Sequence, residues 1–168
     1  MTSTDLLVDA FERIRDALHP AVSDLSPDEL AFRPEGASNS IAWLVWHLTR
    51  IQDDHVAGLA GSEQVWTASG WAERFDLPFP AADTGYGHGP GDVTAVIADA
   101  PLLLGYFEDV HNRTQEFIRS LSEGDLANVV DRRWDPPVTM SIRLVSVIAD
   151  DLQHVGQAAY VRGLLQRP

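Results

Sequence analysis

Apolar residues recur at helical spacing along most of the chain, and the strict alternation expected of strands is nearly absent. In the first stretch Leu7, Ala10, Phe11, Ile14, Ala17 and Leu18 share one helical face, and Pro20 is expected to stop the run. Ser26-Pro-Asp-Glu29 has the form of a capping box with proline at the first helical position. Pro34 and Gly36 follow so closely that it should open only a short turn. Ser38-Asn-Ser40 offers caps for a second long helix reaching about Ala60. Residues 61–91 break the pattern: Gly and Pro abound, with Trp66, Trp71, Phe75, Phe79, Tyr86 and His88 interleaved. This predicts a long connection whose aromatics pack on the body, and connections of that length are often functional. Leu103, Tyr106, Phe107, Val110, Thr114, Phe117, Ile118 and Leu121 carry a third helical stretch over roughly 92–121, broken or kinked near Pro101. A loop is expected from Asp125 to Thr139, and a last helix from about Ser141 to Leu165. Four main helices with one long crossover predict an all-α four-helix bundle, one domain over residues 1–168. No internal repeat or low-complexity segment interrupts it.

Composition narrows the partners. The 168 residues suffice for one sizeable core, and 45% apolar with 22% charged content is ordinary for a globular protein. The 25 acidic against 12 basic residues give a net charge of −13, spread along the chain without an acidic tail. Such a surface repels phosphate backbones and anionic lipid, which argues against nucleic-acid or membrane partners. The absence of cysteine excludes disulfides, thiolate metal ligands and a cysteine nucleophile. Met1-Thr-Ser-Thr-Asp5 lacks the features of a signal peptide, and no apolar run approaches the ~20 residues of a membrane span, so a cytoplasmic location is expected.

The candidate chemistry lies in two helices. His47, in Ile41-Ala-Trp-Leu-Val-Trp-His-Leu48, and the pair Asp150/His154 each occupy an apolar helical stretch, where a titratable side chain is costly unless something binds it. Asp150 and His154 are four apart, so both point to one face and can grip one ion. His47 shares its stripe with Leu44, Ile51 and Gly58, with Asp54 two turns further on; His154 is flanked by Val147, Ala158, Val161 and Leu165. If the two helices are neighbours, three ligands converge on an open metal site. The spacing alone leaves alternatives open. An inward histidine is commonly a satisfied core residue, and Asp/His at this spacing is a common helix pair. Asp151 sits closer than Asp150 to the middle of the apolar arc, so it competes as the carboxylate ligand or as a group that orients one.

Further polar residues divide in the same way. His88, in Gly85-Tyr-Gly-His-Gly89, is either an acid/base or substrate contact in the cleft or a solvated loop residue. Asp54 either meets a ligand or faces water. His55 is expected to be packed with one hydrogen bond, and His19 and His111 to lie at the surface or at helix ends. Trp43, Trp46, Trp66, Trp71 and Trp134 read as core and loop anchors. Arg132 and Arg133 either receive an anionic substrate group or form a solvated pair. Arg162, on the inward side, is placed to pair with a carboxylate.

Asn39-Ser-Ile-Ala-Trp-Leu-Val-Trp-His-Leu48 together with Asp150-Asp-Leu-Gln-His-Val-Gly-Gln157 resembles the DinB-like superfamily. Within it the chain is most similar to the actinobacterial mycothiol-transferase-like branch, related to the N-terminal domain of mycothiol-dependent maleylpyruvate isomerases. The similarity runs over nearly the whole chain, including Thr84-Gly-Tyr-Gly-His88 and Trp134-Asp-Pro-Pro-Val138. The resemblance implies a DinB-like four-helix bundle with a metal between the second and last long helices. The usual ligands there are one histidine on the second helix and His-x-x-x-His on the last. His47 matches the first position and His154, read through His-x-Gly-Gln, the third. Asp150 departs from the three-histidine pattern, as does the carboxylate that the related isomerases place there. The implied cofactor is a divalent metal, zinc first, with nickel or ferrous iron also suited to these ligands. The implied activity is S-transfer of the mycothiol thiol to a small electrophilic substrate, in a protein that pairs as a homodimer. Two other functions compete on the residues: a metal-dependent hydrolase using water, and a non-catalytic bundle that binds a small molecule or dimerises.

Overall fold

The computed structural model describes residues 1–166. Four long helices make up the body: α1 (Ser3–Val22), α3 (Ile41–Ala60), α7 (Ala100–Ser120) and α8 (Met140–Leu165). The short helices α2 (Pro27–Ala31), α4 (Val65–Ala68), α5 (Trp71–Phe75) and α6 (Pro90–Ala95) lie in the connections. α3 packs against α7 and α8, and α1 packs against the same two, so the four form a ring around a shared core. The architecture is all-α, a four-helix bundle with its long crossover between α3 and α7.

The local chemistry explains the element boundaries. α1 begins at a capping box between Thr2 and Asp5 and buries Leu7, Phe11, Ile14, Leu18 and Val22 along one stripe. Pro20 does not stop it; the helix runs on to Val22. The missing proline N–H falls in the last turn, where only one backbone bond is lost, and Ser23 still donates to the His19 carbonyl. The Ser26 capping box opens the short α2 as expected. Ser40 caps α3 by accepting from the Trp43 N–H, and Gly61, at φ 64°, takes the left-handed turn that ends it. Pro101 opens α7 rather than kinking it; the break falls before Asp99, the residue that caps α7.

Residues 125–139 are not simply a loop. Val129–Asp131 (β1) and Val138–Thr139 (β2) pair antiparallel before α8 starts. Segments of three and two residues are too short to carry a readable alternation. α3 is the most enclosed element: every residue from Ile41 to Arg50 is buried. That first half has no solvent face, so Thr49 and Arg50 are interior, and Gln52 and Asp53 just beyond it are buried as well. Among the described residues no helix is long and apolar enough to cross a membrane.

Candidate metal centre

α3 and α8 bring His47, Asp150 and His154 together, and one ligand atom from each lies within 4.8 Å of the others. The two imidazole rings stand edge-on, centroids 4.9 Å apart and planes at 76°. His154 Nε2 is 3.7 Å from Asp150 Oδ1. Each imidazole is held by its other nitrogen. His47 Nδ1 donates to the Thr84 carbonyl at 2.5 Å, and His154 Nδ1 lies 3.1 Å from the Gln157 amide oxygen. A carbonyl oxygen only accepts, so the proton sits on Nδ1 and the Nε2 lone pair is free. Burial, the largest influence on it, lowers the His47 pKa below the ordinary histidine value, and the Thr84 bond offsets this only in part. The ring is therefore neutral near pH 7. Asp150 Oδ2 is buried without a hydrogen-bond partner among the described residues. Two imidazole nitrogens and a carboxylate are a donor set that fits a divalent ion with open positions left over.

The long connection closes over His47. Trp43 stacks on the His47 ring at 4.6 Å and meets His154 edge-on at 6.3 Å. Gly85, at φ 89°, carries the backbone against the site: a Cβ there would lie 2.8 Å from His47 Nδ1 and 2.9 Å from the Trp46 ring. Only glycine lets the Thr84 carbonyl come this close. His88 is not among the three converging residues, and it is not solvated. Its side chain is 7% exposed, Nδ1 accepts from Trp43 Nε1 at 3.1 Å, and Nε2 lies 3.2 Å from Asp83 Oδ2. It packs on Phe79 and Trp46, tying the connection to α3.

A second polar cluster, beneath the connection, left no mark in the pattern. Arg50, fully buried, donates to the Asp83 carbonyl, the Gln64 amide oxygen and the Tyr106 hydroxyl, and lies 3.6 Å from Asp53. Asp53 accepts from the Val65 and Trp66 N–H groups at the start of α4 and from Tyr106. Burial pushes the Tyr106 hydroxyl well above its usual range. In the sequence Arg50 and Asp53 are two of several polar residues along α3, with nothing to single them out.

Several expectations are corrected. His111 is buried, stacked on Phe107 with Nε2 3.5 Å from Glu12, because α7 turns it toward α1. His19 does lie at a helix end, beside Glu108. His55 is half-buried but makes no hydrogen bond among the described residues. Arg162 donates to the Ser23 carbonyl instead of a carboxylate, because that end of α8 meets the end of α1. Trp134 is 65% exposed and so is no core anchor, whereas the other four tryptophans are buried. Asp54 accepts from the Gln64 amide. Arg133 folds back onto Asp131, while Arg132 makes no ion pair among the described residues.

Asp150, rather than Asp151, stands with the imidazoles. Asp151 is fully buried, and neither oxygen has a partner among the described residues, because the middle of an apolar arc faces the core while Asp150 at its edge faces His154 and His47. Burial and then the neighbouring Asp150 raise its pKa well above the usual carboxylate value. The folded state thus keeps a proton that the unfolded chain has already released. The stability of the metal-free chain therefore falls as pH rises through the unfolded value of 3.8 toward the folded one. Asp151→Asn removes that penalty and is expected to gain about 1–3 kcal/mol at pH 7, and little near pH 4. Urea unfolding at both pH values checks this; equal stabilities for the two chains throughout would mean that Asp151 is compensated.

A family model described as the DinB superfamily matches residues 10–158. Among solved structures, a conserved protein from Enterococcus faecalis is similar over 96% of both chains, at 31% identity and a TM-score of 0.90. Comparison with curated proteins gives no match.

Proposed function

The chain belongs to the DinB superfamily, and on that premise we propose that it is a metal-dependent S-transferase of the mycothiol-using branch, acting on a small electrophile. One observation carries the reading: ligand atoms of His47, Asp150 and His154 converge within 4.8 Å while each ring's Nδ1 is already engaged. These three residues would hold the ion, with zinc best suited and nickel or ferrous iron also compatible with two nitrogens and one oxygen. A divalent ion held there lowers the pKa of a bound thiol or water, generating a nucleophile near neutral pH.

The chain's own contribution is positional. The Thr84 carbonyl fixes the His47 ring orientation and tautomer, Trp43 covers one face of that ring, and Asp150 supplies a single negative charge. Without cysteine, thiol chemistry here requires the thiol of a second substrate. The test is elemental analysis of purified protein followed by turnover of an electrophile such as monobromobimane, with and without mycothiol. The proposal expects about one metal per chain and turnover that needs both metal and thiol. Metal-dependent turnover of ester substrates without thiol would make the protein a hydrolase. Protein that binds no metal would overturn both enzymatic readings.

A further inference from the structure

α3 and α8, which pack against each other, run on beyond the candidate metal centre. Along α3, Asp54 lies seven residues past His47; along α8, Arg143 lies seven before Asp150. Seven residues are two helical turns, about 10 Å, and they return to the same face. The helices run antiparallel there, so both steps lead to one place. A depression of about 670 Å³ opens at that point, lined by Asp54, His55, Arg132, Arg133 and Arg143 among others.

Its charge reverses that of the molecule. Three guanidiniums meet two carboxylates here, on a chain whose net charge is −13. Asp131 is saturated: it takes the Arg133 backbone N–H and guanidinium and the Arg143 guanidinium at 3.0 Å. Arg143 keeps further N–H donors, since a guanidinium has five. Arg132 is exposed with no ion-pair partner among the described residues. Burial followed by Arg143 lowers the His55 pKa, so the positive charge here comes from the guanidiniums and not from its ring. The β1–β2 hairpin, which brings Arg132 and Arg133 over the end of α3, thereby gains a purpose beyond joining α7 to α8.

We propose that this depression receives an oxyanion, carboxylate or phosphate, carried by the electrophilic substrate about 10 Å from the atom that reaches the metal centre. A guanidinium fork matches either oxyanion, and a site of opposite sign to the rest of the surface selects acidic small molecules from neutral ones. The proposal rests on the metal reading above and names the substrate class for it.

The test loads the full chain with cobalt and titrates 6-mercaptohexanoate, 6-mercaptohexyl phosphate and the neutral 6-mercaptohexanol, following the thiolate-to-cobalt absorption. At least one anionic probe is expected to bind about tenfold more tightly than the alcohol, the yield of one charge-assisted contact. The anion that gains more identifies the group. Arg132 has no hydrogen-bond or ion-pair partner among the described residues, and Arg132→Gln should bring all three probes within about twofold while leaving the alcohol's affinity unchanged. Equal affinities in the parent chain, or an advantage that survives Arg132→Gln, overturn the proposal. If cobalt is not taken up, or no thiolate band forms, the metal reading has failed and the depression is judged alone. NMR shifts at the arginine Nε–H signals on adding hexanoate or inorganic phosphate, absent with chloride at equal ionic strength, then support it. No such shifts overturn it.

Discussion

His47→Ala should take the bound divalent metal from about one equivalent per chain to under a tenth, the largest functional effect expected of any single substitution here. Among the described residues His47 is the one converging donor from α3, so its loss leaves Asp150 and His154 as a pair on one helix, partly open to solvent. Altering groups that merely support a ligand costs about 10–100-fold in metal affinity, and deleting a ligand costs more. The fold should survive, because the change removes one ring from a site at the edge of the core. Its stability should fall by about 1–3 kcal/mol, as the Thr84 carbonyl loses its partner and Trp43 its stacked neighbour. Metal content after dialysis, measured beside far-UV circular dichroism, separates binding from folding. A folded variant that keeps a full equivalent would show that the three residues do not form the metal site. Asp151→Asn is the matched control, since that carboxylate points into the core and should leave metal content unchanged.

The bundle was legible because its evidence is periodic. A stripe such as Leu7, Phe11, Ile14 and Leu18 must be buried against something, and the caps at Ser26 and Ser40 mark starts by a local hydrogen bond. The converging residues were legible for the opposite reason, as titratable groups that break an apolar pattern. Spacing could not choose between Asp150 and Asp151, because one residue along a helix is about 100° of rotation and the groove edge lies between them. The Arg50–Asp53–Tyr106 cluster was not legible, because its members join α3, α7 and the 61–91 connection only once folded. Nor was the role of Gly85: a glycine among many in a loop gives no sign that its missing Cβ makes room for the His47 ring.

The largest stability effect should come from that unannounced cluster. Arg50→Met is expected to cost about 3–5 kcal/mol, although methionine fills much of the same volume. Arg50 is fully buried and faces a carboxylate that is itself only 3% exposed. Deleting one partner of a buried ion pair leaves the other's charge uncompensated, which is worse than never having buried the pair. Burial already pushes the Asp53 pKa above the usual carboxylate value despite three hydrogen bonds and the nearby guanidinium. Without Arg50 it should rise further, so the variant should lose more stability at pH 8 than at pH 5. The Asp83 carbonyl also loses a donor, and Asp83 precedes the Thr84 carbonyl that orients His47. Metal affinity should therefore fall about 10–100-fold even in the folded fraction, with no ligand touched. Urea unfolding at the two pH values and a competitive metal titration read the two effects separately. Adding Asp53→Asn should recover part of the stability, because it removes the stranded charge, and should recover little of the metal affinity, because the connection stays unanchored. A loss below about 1 kcal/mol, or a double variant no more stable than Arg50→Met, would mean that the pair is not what holds the connection over the site.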